Sequence, residues 1–410
     1  MRVLARVLAA AALAVFASAA GARAPGTTAD GVYRFPSQDI QNLDQLQNAI
    51  QSSFVRVIIV APGVYDLDEP LFVATRDDLV ICGATGNPND VVFTSGEGSA
   101  ALVFEARHIV FRGLTLQTTA PFISALSLIA STGSDVENYV DDVVVDRCVL
   151  KGYVGVQAGV RVRNLTVTRS RVALTGSGSP RHAVAGVLWE DGPGLYVGRN
   201  RFTIEPGVPA LAAVVVRGAQ SGTSEGERAR SVLLVGNTIS GDFARAFDLA
   251  DVVDLRAKSN VVTFPSPLTT TTFLNIVEGS GRMGFFVRRA NASAFTENFE
   301  FVRNRVRKAF YAASLLFTGS GVLFSNDFRG CGSPTPDPGF GDHGGAVRFD
   351  LQSSVCPVTV AGNDFRGLKS PASDPAVVVQ PAGIDPADCF TSSRRNRVDK
   401  GRALYAFENQ

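Results

Sequence analysis

The sequence predicts an all-β chain, a single-stranded right-handed parallel β-helix (solenoid) of about 10–12 coils with a short N-terminal capping helix. Three observations carry this. A β-branched run followed by one asparagine and another apolar residue keeps returning, as in "VLLVGNTISG", "VLFSNDFRG" and "VTVAGNDFRG". The returns are evenly spaced: 22 residues from Cys148 to Ser170, 23 from Asn237 to Asn260, 22 from Asn304 to Asn326. The runs alternate with period two and are rich in Val, Ile and Phe, which is strand and not helix patterning.

Ten positions fill the slot: Gly113, Cys148, Ser170, Asn200, Asn237, Asn260, Asn304, Asn326, Asn363 and Asn396. The leucine-rich repeat has a similar unit length, but its L-x-x-L-x-L frame is missing. A WD-type propeller needs longer units and a Trp-Asp signature, and the chain has one tryptophan. In a β-helix the slot is a sharp corner between two sheets, where a residue must take a left-handed conformation that Asn tolerates. Coils stack about 4.8 Å apart, so successive amides can bond into an asparagine ladder.

The elements follow in order. "MRVLARVLAAAALAVFASAA" places Arg2 and Arg6 before a short apolar run and small residues, the pattern of a secretory signal peptide over 1–19, cleaved near "ASA". No later run is long enough to span a membrane. The chain is expected to be exported, periplasmic or extracellular, and monomeric, with one β-helix domain over 30–410. "NLDQLQNAIQSSF" carries Leu43, Leu46, Ala49 and Ile50 on one helical face, with Asp44 near the start. Such a helix would cover the first coil. Longer gaps between returns hold insertions such as "GCGSPTPDPGFGDHGG". Of five cysteines, Cys82 and Cys148 sit in strand-like runs as buried thiols, while Cys331 and Cys356 flank a loop and are expected to pair, with Cys389 as the alternative partner.

With 410 residues, 19% charged and net +1, the whole-molecule field gives no steering toward a polyanion. No basic stripe or phosphate loop is evident, so nucleic acid is not an expected partner. No cofactor is expected. Calcium is the one metal with candidate ligands, Asp141, Asp142 and Asp146 or Asp248, Asp251 and Asp254, but these alternate across strands instead of converging.

After the helix, Pro62, Gly63 and Tyr65 form a "PG-x-Y" turn, and the next strands end at Gly83. Here the chain resembles the pectin lyase-like superfamily over nearly its whole length from about Tyr33. The resemblance implies the fold; the superfamily includes lyases, hydrolases, epimerases and proteins without known catalysis. Polygalacturonase-like, alginate epimerase-like and pectate lyase-like signatures are absent; only Asp-His-Gly at Asp342–Gly344 echoes the Gly-His-Gly of the first.

Each coil also carries a second run: "GVQAG", "GVLWEDG", "AVVVRGA", "AFDLAD", "FLNIVEG", "GAVRFDL" and "AVVVQPA". Their polar residues are expected to face outward: Gln157, Trp189 and Glu190, Arg217, Asp248, Asn275 or Glu278, Arg348 with Asp350, and Gln380. A stacked row of this kind would bind sugars, with Trp189 as a pyranose platform and Arg217 and Arg348 on uronate carboxylates; Glu190, Asp248 and Asp350 would line it. Asp342 and His343 lie in the Gly-rich stretch leading onto Arg348, where a His–Asp pair could take a proton next to a carboxylate. The expected function is therefore an exported carbohydrate-active protein binding an acidic polysaccharide, a polyuronate in particular, with β-elimination as its chemistry. The alternative is a non-catalytic cell-surface or scaffold β-helix.

Overall fold

The computed structural model describes residues 27 to 407, apart from 37–41, 132–137, 176–184, 191, 207, 209, 219–228, 268–280, 289–295, 336–344, 352–356, 382–389 and 393. The expected signal peptide, 1–19, therefore lies outside the described residues. The chain winds through three sheets of 13, 12 and 9 strands, each strand pairing with its counterpart one coil earlier and one coil later. Every pairing within the sheets is parallel, and the fold is a right-handed parallel β-helix. The first sheet runs from Val32–Phe35 to Phe390–Ser392, the second from Leu71–Ala74 to Tyr405–Phe407, and the third from Gly63–Leu67 to Arg305–Arg307.

Alternation places one side chain in two on the inside, where like stacks on like. Phe247 and Phe285 stack with centroids 4.8 Å apart, and Phe285 meets Phe301 at 4.6 Å. Each fully buried phenylalanine contributes about 2–3 kcal/mol. Tyr65 of the "PG-x-Y" turn belongs to a similar stack, with Phe93 at 5.2 Å and Phe35 at 5.5 Å. Its hydroxyl donates to the Ala61 carbonyl, which holds the turn.

Helix α1, Leu43–Gln51, starts at Asn42, whose side chain accepts from the Asp44 N–H, and it buries Leu46, Ala49 and Ile50. It lies against the leading strand of the second sheet. There the Gln47 amide accepts from the Phe72 N–H and donates to the Phe72 carbonyl. One side chain thus imitates the missing neighbouring strand.

The corner between the first and third sheets holds Asn200, Asn237, Asn260, Asn304, Asn326, Asn363 and Asn396. Along this row each Oδ1 after Asn200 accepts from both the backbone N–H and the Nδ2 of the asparagine before it, at 2.9–3.2 Å. Each Nδ2 also donates to a carbonyl one coil back, for example Asn260 to Leu234 at 2.8 Å. The side chains of Asn237, Asn260 and Asn363 are fully buried.

Two expectations about this corner need correction. The left-handed residue is not the asparagine but its predecessor: Arg147, Arg169, Arg199, Gly236, Ser259, Arg303, Ser325, Gly362 and Arg395 have φ between 50° and 68°. The turn at that residue swings the next side chain inward, where its amide replaces the strand hydrogen bonds lost in bending. Gly113, at φ 62°, therefore matches Arg147, and Leu114 occupies the inward slot. The Leu114 carbonyl accepts from Val149 just as the Cys148 carbonyl accepts from Arg171.

Cys331 is also corrected. It is a free thiol buried in the interior, its Sγ 3.4 Å from the Val306 carbonyl, so it pairs with neither Cys356 nor Cys389. Those two residues lie outside the described residues. Cys148 is likewise buried and free. Burial pushes both thiols up to about 12.

Candidate functional site

The outer face of the second sheet carries three of the charged residues that the sequence marks, Arg217, Asp248 and Arg348. One register row runs Gln157, Leu188, Val215, Asp248, Phe286, Ser314, Arg348, Val378. The neighbouring row runs Arg217, Ala250, Arg288. Asp350 sits in register with Leu316 and Gln380 further along the sheet. Asp248 and Arg348 are three strand spacings apart, about 14 Å.

A local bend shapes this face. In the strand Phe243–Ala250 both Ala246 and Phe247 pack into the core, so Arg245 and Asp248 emerge on the same outer side. Asp248 is 1% exposed, and its two oxygens are taken by Arg245 Nη1 at 2.5 Å and Arg288 Nε at 2.9 Å. The Arg245 guanidinium lies over the Phe286 ring, 4.0 Å from its centroid, and the Arg288 guanidinium is 6.0 Å from the same ring. Burial pushes the Arg245 guanidinium down from its ordinary value; Asp248 opposes this, and Arg288 adds to it. Ser314, fully buried, has an Oγ without a hydrogen-bond partner among the described residues. Arg348 follows it in the row and is 8% exposed.

Trp189 is not on this face. It is fully buried, with its Nε1 donating to the Val162 carbonyl at 3.3 Å, and so cannot serve as a sugar platform. Leu188 takes the outer position. Both neighbours are apolar, so the alternation could be phased either way, and the one-residue slip changes faces. Glu190, half-buried, follows Trp189 at the end of the strand. His343, Asp342, Asn275 and Glu278 lie outside the described residues. The coil expected at "FLNIVEG" has its strand at Met283–Arg288 instead, which is why Arg288 was missed. Arg245 was missed because strict alternation with Asp248 places it on the opposite face; only the bend reverses that.

A second group of charges lies at the corner of the first and third sheets. Asp146 is 2% exposed between Arg112 at 3.1 Å and Arg169 at 2.7 Å. Further along, burial raises the Asp327 carboxyl, but hydrogen bonds from Arg329 and Arg307 overcome this and hold it well below the usual carboxylate range. The hydrogen bond from Arg366 lowers Asp364, against burial. Asp146 and Asp248, two of the candidate calcium ligands, are each engaged by two arginines. Among the described residues no three His, Cys, Asp or Glu side chains gather to hold a metal. Nor is any helix among them long and apolar enough to cross a membrane.

No family model matches the chain, and no curated protein matches its sequence. Several solved structures are similar in shape. The lid-free DFA-IIIase from Arthrobacter chlorophenolicus A6 aligns at TM-score 0.49 and 12% identity, covering 92% of this chain and 98% of that one. The catalytic domain of a GH87 α-1,3-glucanase in complex with nigerose aligns at 0.42 and 10%, covering 95% and 69%. The A-module of a mannuronan C-5 epimerase from Azotobacter vinelandii aligns at 0.37 and 11%, covering 95% and 96%. These likenesses concern architecture. By its three all-parallel sheets and coil-by-coil register, the chain has the pectin lyase-like fold, a right-handed parallel β-helix.

Proposed function

We propose that this is an exported carbohydrate-active protein whose second sheet binds an acidic polysaccharide on its outer face. The observation that carries the reading is the placing of Arg245 and Arg288 around the Asp248 carboxylate on that face, with Arg217 in the register row of Arg288 and Arg348 about 14 Å along the row of Asp248. Guanidinium groups in excess over carboxylate, half-buried and backed by the Phe286 ring, suit a ligand that brings its own carboxylates. Strand spacing of about 4.8 Å sets the arginines along the axis, as an extended uronate chain would require.

The chemistry such a face favours is β-elimination. The arginines would draw charge from the uronate carboxylate and make the C5 proton easier to remove. A base takes that proton, its electron pair forms the C4–C5 double bond, and the C4–O bond breaks with the leaving oxygen gaining a proton. His343, with Asp342, is the base we assign, because both directly precede the strand that carries Arg348. A binding role without catalysis is the second reading. It is favoured by Asp248, whose oxygens are both committed to arginines and so cannot act as the base.

Ultraviolet absorbance with a panel of polyuronates tests the first reading. A rise on one of them, lost in Arg348→Ala and in His343→Ala, is the expected result. A flat trace together with binding that Arg348→Ala weakens at least tenfold would instead establish the second. Neither turnover nor binding would remove both.

A further inference from the structure

The left-handed corner positions carry a cost that their residue types do not minimise. Glycine takes this conformation freely and is used at Gly113, Gly236 and Gly362, yet Arg147, Arg169, Arg199, Arg303 and Arg395 hold equivalent positions. A non-glycine residue there gives up about 1 kcal/mol. Strain repeated with one side-chain type points to a role for that side chain outside the fold. The residue after each inward slot adds Arg171 and Arg201, the paired first positions of two adjacent strands in the third sheet.

In the coils from Arg112 to Arg201 this gives six exposed arginines, Arg112, Arg147, Arg169, Arg171, Arg199 and Arg201. The carboxylate among them is Asp146, which is buried and already held by two of the six. The group carries a formal excess of five charges on a chain whose net charge is only +1. Balance over the whole sequence thus conceals a segregated basic edge. In the triangular coil this corner lies opposite the second sheet, so the edge is separate from the arginine group around Asp248.

We infer that the edge is a docking surface for an anionic polysaccharide bearing one sulfate or carboxylate on most of its sugars, lying along the helix axis. The edge follows the helix axis, its charges repeating with the coil spacing of about 4.8 Å. Tyr196 lies across Gly198, next to Arg199, and its ring is half-buried. One flat ring beside a row of guanidiniums fits a charged sugar chain. A nucleic-acid strand is held instead by several successive stacking rings.

The test uses the mature chain with dextran sulfate as probe, neutral dextran as control and poly(dT) as competitor, over a series of salt concentrations. Glycine already serves at this corner, so R147G/R199G removes two charges and leaves the fold intact; its unfolding midpoint should equal or exceed that of the wild type. The expected result is salt-dependent binding of dextran sulfate that R147G/R199G weakens at least tenfold with a shallower salt slope, while R147K/R199K retains it. Unchanged affinity in R147G/R199G or absence of binding by the wild type would overturn the inference. Preferential binding of poly(dT) would overturn the choice of a glycan.

Discussion

The corner between the first and third sheets is built in two ways along its length. From Asn200 to Asn396 its inward slot is filled by amides that bond coil to coil without a break. In the earlier coils the slot holds Leu114, Cys148 and Ser170, where Ser170 Oγ accepts from the Cys148 N–H and donates to the Thr168 carbonyl. The backbone turns alike in both stretches, with a left-handed residue before the slot. The amide is therefore not needed to make the turn. It satisfies four hydrogen-bonding partners at once, where Cys148 offers a thiol 3.4 Å from two carbonyls. The two stretches share a shape and differ in how firmly each coil is tied to the next.

The largest test breaks the amide row at its middle. Asn260→Ala leaves the Asn237 N–H and one Nδ2 hydrogen of Asn237 buried without an acceptor, at about 1–3 kcal/mol each. Denaturant unfolding should show a loss of about 3–5 kcal/mol; a change below 1 would mean that water replaces the amide easily. Extending the row is the opposite test. Ser170→Asn meets the Asn200 Oδ1 on one side, which the Ser170 N–H already reaches, and should add about 1 kcal/mol.

A finer comparison uses the two buried thiols. Cys148 belongs to the stretch without asparagine, while Cys331 bonds to the Val306 carbonyl beside Asn304. Both are protonated at neutral pH, since burial raises them to about 12, so each reacts only when its coil opens. At sub-denaturing urea Cys148 should be labelled first, by on the order of tenfold if the stretches differ by about 1.4 kcal/mol. Equal rates would mean that all coils open together.

The smallest effect is acid sensitivity in the asparagine stretch. Asp327 and Asp364 are depressed in the folded state, so their contribution is complete above the unfolded carboxylate value of about 4 and fades as pH falls below it. Asp327→Asn should lower stability at neutral pH and flatten the acid limb. An unchanged limb would assign the acid loss to other carboxylates.

Sequence legibility follows the same division. The asparagines announce their coils because one residue type recurs where geometry is most demanding. The stretch of Leu114, Cys148 and Ser170 shares geometry but no residue type, and there the reading slipped to Gly113. On the second sheet the period-two pattern locates Asp248, Arg348 and Arg217 on the outer face. It fails at Trp189, whose apolar neighbour Leu188 fits either phase, and at Arg245, which a bend turns outward. Cys331 looked like a loop residue because glycines and prolines follow it, although its own position is in the core. The basic edge escaped notice because its arginines lie 22 to 35 residues apart from coil to coil and become neighbours only when coils stack.

The Gln47 contact with Phe72 has a consequence for how the molecule ends. A stack of identical coils is a one-dimensional lattice, and its leading strand is a growth face able to template another chain. Gln47 occupies both the donor and the acceptor of Phe72, and Gln51 donates to the same carbonyl, so the lattice meets a helix instead of a strand. A single turn of α1 thereby closes the leading edge of the second sheet to a strand from another chain.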